Sequence, residues 1–90
     1  MTDELHISSL VVHARPERLV AVCAAIARLP GAEVHASNDQ GKIVVTLETS
    51  NEGDVLTRLD QIGRMGGVMS AALVYHHVEA AAPAEAGSNP

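Results

Sequence analysis

The chain has 90 residues, 47% of them apolar and 19% charged, the composition of one folded domain built around a single core. Six basic against eleven acidic residues leave a net charge of -5, the wrong sign for a phosphate backbone, and a lone Tyr75 with no Phe or Trp removes the rings on which single-stranded nucleic acid stacks. One cysteine, Cys23, cannot form an internal disulfide, and neither a leader pattern nor an apolar run near the roughly 18 residues of a membrane helix is present, so a soluble cytoplasmic protein is expected.

Ile7 to His13 (ISSLVVH) is short, rich in β-branched residues and followed by Arg15-Pro16, which predicts a strand and then a helix with Pro in its first turn. From Pro16 on, Leu19, Val22, Cys23, Ile26 and Leu29 recur at three- and four-residue steps, the stripe of an amphipathic helix that stops at Pro30-Gly31. Glu33 to Ser37 and Lys42 to Glu48 flank the turn sequence Asn38-Asp39-Gln40-Gly41 and predict a hairpin. Thr49 and Glu52 have capping-box spacing, and Val55, Leu56, Leu59 and Ile62 mark a second helix that stops at Gly66-Gly67. A last strand is expected from Val68 to His77, within a folded domain of residues 1–78. Residues 79–90 (EAAAPAEAGSNP) lack a hydrophobic period and are expected to form a disordered tail.

The order is β-α-β-β-α-β, and its halves match at an offset of 36 residues, pairing Ile7 with Ile43, Cys23 with Leu59, Ile26 with Ile62, and RLPG from Arg28 with RMGG from Arg64. Such a split β-α-β duplication implies an α+β ferredoxin-like sandwich: a four-stranded antiparallel sheet with both helices on one face and the other face open. In the third strand Ile43, Val45 and Leu47 make the better inward set. The offset then sends Ile7, Ser9 and Val11 inward, and Leu10 and Val12 outward, because side chains alternate along a strand. Met69, Ala71, Leu73 and Tyr75 are expected to point outward from the last strand. A patch of Leu10, Val12, Val44, Met69, Leu73 and Tyr75 on the open face is more apolar than plain solvent asks for and reads as a binding surface. A face-to-face homodimer is the alternative occupant, and a one-residue slip of register would exchange the two faces.

No catalytic, metal or cofactor site emerges. His6 and His13 sit at opposite ends of one strand, and His76 and His77 point to opposite faces, so the histidines read as solvated strand ends rather than the three or four converging ligands zinc requires. Cys23 falls in the helix stripe, where a thiol behaves as a small hydrophobe. No glycine-rich phosphate cradle precedes a helix.

The segments SSLVVHARPERL, LPGAEVHASNDQGK and GVMSAALVYHH together resemble the NapD family, the small cytoplasmic chaperones of the periplasmic nitrate reductase, from about Ile7 to His77. The resemblance implies a non-enzymatic protein that binds the twin-arginine signal peptide of the molybdenum-containing catalytic subunit as a helix against the sheet. It would hold the precursor back from export until the cofactor is inserted. Such a peptide presents guanidinium groups followed by an apolar segment, so its receptor needs carboxylates beside an apolar surface. Glu33 and Glu48 fall on the expected open face and read either as arginine partners or as solvated edge charges. Tyr75 reads either as a contact with the peptide or as a buried, satisfied phenol. Two rival functions are a small regulatory or dimerising module that binds a metabolite at a subunit interface, and a small phosphatase whose loop Ala14-Arg15-Pro16 lacks an anion cradle.

Overall fold

A computed structural model describes residues 4–80 of the chain. The elements follow in the expected order: β1 (Glu4–Ala14), a single 3-10 turn (Pro16–Arg18) leading into α1 (Leu19–Ala27), β2 (Ala32–Ser37), β3 (Lys42–Thr49), α2 (Glu52–Gly63) and β4 (Val68–Ala80). All neighbouring strands are antiparallel and the sheet order is β2-β3-β1-β4, which leaves β1 and β3 central. Both helices cover one face, α1 against β2 and α2 against β3 and β4, as a ferredoxin-like sandwich requires.

The core lies between that face and the helices. Leu10, Val12 and Ala14 of β1 meet Ile43, Val45 and Leu47 of β3 beneath Val22 and Ile26 of α1 and Ile62 of α2. Each buried Leu, Ile or Val contributes about 1.5–3 kcal/mol relative to exposure, so an aliphatic core suffices without aromatic rings. Cys23 is a half-buried free thiol packed against this cluster, the place its stripe assigned it. Leu56 departs from the expected stripe and is 54% exposed.

The expected inside and outside of β1 are exchanged. Leu10 and Val12 are fully buried, whereas Ile7, Ser9 and Val11 are half-buried on the opposite face. The reason is a one-residue difference between the two halves of the duplication. Fourteen positions separate Val12 from Ile26, and fifteen separate Leu47 from Ile62. The 36-residue offset therefore aligns the helices but slips the strands by one, and a slip of one flips every side chain to the other face.

In β4 the alternation is broken twice. Ser9 pairs with Tyr75 and Leu10 with Leu73, leaving Val74 as an extra residue, and His13 pairs with Ser70 and Ala14 with Val68, leaving Met69 as another. Directly opposed residues share a face, so Tyr75 points to the open side with Ser9 while Leu73 and Ala71 stand on the helix side with Leu10 and Val12. β4 also runs past the expected domain end, with Glu79 and Ala80 paired to Leu5 and Glu4. These pairs are made by backbone groups and need no apolar side chain, which is why composition placed Glu79 and Ala80 in the tail. The rest of the expected tail, residues 81–90, lies outside the described residues.

Local chemistry sets the two connections that frame the open face. In the β2–β3 turn the Asn38 carboxamide oxygen accepts from the backbone N–H groups of Gln40 at 3.0 Å and Lys42 at 3.1 Å. Gly41 sits at φ +96°, where a Cβ would collide with the Ala14 carbonyl, and its own carbonyl accepts from the Ala14 N–H at 2.8 Å. That close approach pins Lys42 beside the end of β1. At the other connection the cap of α2 is Asn51 rather than Thr49: Asn51 Oδ1 accepts from the Asp54 N–H at 2.8 Å, and the Thr49 hydroxyl donates to the Asn51 carbonyl.

Candidate functional site

The face away from the helices is built in rows across the sheet, because opposed residues on antiparallel strands project together. One row joins Glu48 of β3 to Ile7 of β1 and His77 of β4. The next joins Glu33, Thr46, Ser9 and Tyr75, and the one after it Ala36, Val44, Val11 and Ala72. A last row sets Lys42 beside His13 and Ser70. The middle of this surface is apolar and half-buried even with nothing lying over it, since the flanking strands shield Ile7, Val11 and Val44.

Of the residues expected to bind a partner, Val44, Tyr75, Glu33 and Glu48 stand on this face, with Tyr75 57% exposed. Leu10 and Val12 do not: they are core side chains and cannot touch anything lying on the sheet. Leu73 is partly exposed but on the helix side at the sheet edge, and Met69 is the exposed bulge residue at the start of β4. Ile7, Ser9 and Val11 take the positions assigned to Leu10 and Val12. Their signal was in the sequence, since Ile7, Leu10, Val11 and Val12 put apolar residues on both faces of one strand, and a strand covered by helices on one side has no need of the second set.

Two electrostatic features border the apolar centre. Glu33 and Glu48 are diagonal neighbours across β2 and β3, with Cα atoms roughly 7–8 Å apart for such a pair, so one arginine or two adjacent ones could reach both. Among the described residues the charged partner of Glu33 is His35, at 3.9 Å, and the Glu33 side chain is 72% exposed, which leaves it open to a guanidinium. On the edge strand the rings of Tyr75 and His77 stack with centroids 6.3 Å apart, and His77 Nε2 lies 3.1 Å from Glu79 Oε2. At the Lys42 end a shallow hollow of about 220 Å³ is lined by Ala36, Ser37, Asn38, Lys42 and Val44.

On the helix side, His6 is not the solvated strand-end residue expected. It is 6% exposed, with Nδ1 3.0 Å from His76 Nε2 and Nε2 3.1 Å from Glu4 Oε1. Both ring nitrogens are thereby engaged within the protein. His76 and His77 point to opposite faces as the alternation demands.

A sequence model described as NapD protein matches residues 5–80. "Chaperone NapD" of Paracoccus pantotrophus is 43% identical over 74 residues, which are 82% of this chain and 65% of that protein, so the chain spans just under two thirds of that relative's length. "Chaperone NapD" of Escherichia coli K12 is 30% identical over 80 residues, 88% of this chain and 92% of the relative. The solution structure of the E. coli Tat proofreading chaperone protein NapD superposes with a TM-score of 0.76 at 28% identity, over 81% of this chain and 78% of that one. A transcriptional regulatory protein of the AsnC family from Pyrococcus furiosus, at 16% identity and a TM-score of 0.58 over 83% of this chain and 49% of that one, shares the fold alone. With the family's sequence pattern running from β1 to the end of β4 on the family's own sandwich, the chain belongs to the NapD family.

Proposed function

We propose that this NapD-family chaperone binds the twin-arginine signal peptide of the periplasmic nitrate reductase catalytic subunit on the open sheet face. It acts in the cytoplasm, without catalysis, and holds the precursor back from export until the molybdenum cofactor is inserted. The observation that carries this reading is the pairing of an apolar sheet centre, Ile7, Val11 and Val44, with the exposed carboxylates Glu33 and Glu48 at its border. An amphipathic helix lays its apolar stripe into such a surface, and guanidinium groups at one end meet the carboxylates in charge-assisted, often bidentate hydrogen bonds. The name of the E. coli relative, a Tat proofreading chaperone, supports the same reading.

Titration of the protein with a synthetic twin-arginine peptide from the nitrate reductase precursor, followed through backbone amide NMR shifts, tests the proposal. Shifts centred on Val11, Val44 and Tyr75 are expected. No saturable shift, or shifts confined to α1 and α2, would overturn it.

A regulatory or dimerising module remains the second reading because β4 is a thirteen-residue edge strand with Met69, Val74, Tyr75 and Val78 exposed, the kind of edge that pairs with a second copy. Size-exclusion chromatography separates the two. A stable peptide-free dimer that blocks the peptide titration would favour the module.

A further inference from the structure

The open face is electrically polar along the strands, and this polarity has a direction. At the end where β1 begins, Glu48 lies opposite Ile7, Glu33 opposite Thr46, and Glu79 opposite Leu5. At the other end the charged side chain of the face is Lys42, opposite His13, with Asp39 on the turn beyond it. Glu48 lies six residue steps along β3 from Lys42, about 20 Å at roughly 3.3 Å per residue, which a bound helix of roughly 13 residues would span.

We infer, resting on the function proposed above, that the signal peptide lies along the strands in one orientation: its arginine-bearing N-terminal end over Glu48 and Glu33, and its apolar segment over Val11 and Val44 toward Lys42. Three features agree on this direction. Arginines meet carboxylates at one end and a like charge at the other, so reversal exchanges attraction for repulsion. A helix carries partial positive charge at its N-terminus and partial negative charge at its C-terminus, so acids under the first turn and Lys42 under the last favour the same direction even without the arginines. The hollow lined by Val44, Ala36 and the Lys42 stem lies at the end away from Glu48, where the apolar segment following the arginines would seat an aliphatic side chain.

Paramagnetic relaxation provides the test. The synthetic twin-arginine peptide carries a nitroxide on a cysteine placed either just before the arginines or just after the apolar segment, and amide broadening is read in the full chain. The first label is expected to erase most of the Glu33 and Glu48 amide intensity and to spare Lys42, and the second label to do the converse. The opposite pattern overturns the orientation and leaves the function standing, as does equal broadening at both ends from one label. A peptide that does not bind overturns both. In Lys42→Glu, an exposed substitution outside the core, the first label is expected to broaden both ends, because acids then flank the face. An unchanged pattern there overturns the part given to Lys42.

Discussion

Ser8 Oγ is fully buried on the helix side of β1, and among the described residues nothing hydrogen-bonds to it. A buried hydroxyl without a partner loses its water and gains nothing in return, so its desolvation opposes folding by about 1–3 kcal/mol. Ser8→Ala is therefore expected to stabilise the protein by about 1 kcal/mol, seen as a rise in melting temperature of about 4–8 °C for a domain of this size. A fall of that size would show that the hydroxyl has a partner. Two residues further along, the exchange of faces gives neighbouring side chains opposite fates. Leu10→Asp puts a carboxylate among Val12, Val45 and Ile26 and is expected to cost on the order of 4–5 kcal/mol, enough to unfold much of a marginally stable domain. Val11→Asp, one position away on the open face, should keep a cooperative urea transition and lose peptide binding. If both variants behave alike, the register of β1 is not the one described.

At the scale of elements, the start of α2 rests on one side chain. Asn51 satisfies the Asp54 N–H, and Glu52 and Asp54 place negative charge in a first turn whose free N–H groups welcome it. Asn51→Ala is expected to cost about 1 kcal/mol in chemical denaturation, and Asn51→Ser to restore most of it, while Thr49→Val should leave the cap intact. The capping-box spacing of Thr49 with Glu52 pointed to the right turn but to the wrong residue, since the cap is Asn51. Backbone geometry decides between the two residues: Asn51 takes the extended conformation that aims its side chain back at the helix, whereas Thr49 still belongs to β3. The bulges of β4 had no such signal. Neither Met69 nor Val74 is a residue type that marks a bulge, and each was revealed only by the register against β1.

On the whole molecule, acidic side chains outnumber basic ones in the sequence as on the sheet face proposed to bind the peptide, so an arginine-bearing ligand is expected to be drawn in from a distance. Salt screens that attraction over about 10 Å at 0.1 M, and leaves apolar contact with Ile7, Val11 and Val44 nearly untouched. Stopped-flow association is therefore expected to slow several-fold between 50 and 500 mM salt, with the dissociation rate changing much less. An affinity that collapses with salt would mean that charge alone holds the peptide. Replacing both peptide arginines by lysines keeps the net charge and loses the bidentate pairing, so calorimetry should show weaker binding. In Glu33→Gln and Glu48→Gln that Arg-over-Lys preference should narrow; if neither narrows it, these two carboxylates are solvated edge charges.

Element order, the helix stripes and the Asn38 to Gly41 turn were legible in the sequence alone, because each depends on neighbours a few residues apart whose spacing sets which hydrogen bonds and which apolar face can form. The duplication of the two halves, and through it the sandwich, followed from the same local patterns repeated. Val44 and Glu48 reached the open face as expected because β3 alternates without interruption, and Glu33 because it precedes the irregularity in β2, whereas Tyr75 is there only because the extra residue Val74 restores its parity after Leu73 has turned to the helix side. Leu10, Val12 and Leu73 did not, and His6 became a buried partner of His76 seventy residues away. What tertiary structure alone decided was parity: which of two alternating sets on β1 and β4 faces the helices. Both sets on β1 are apolar enough to be buried, and one residue more or less in a connection or a bulge reverses the choice. Only pairing with β3 and packing beneath α1 and α2 select one, because the helices can cover a single face of the sheet.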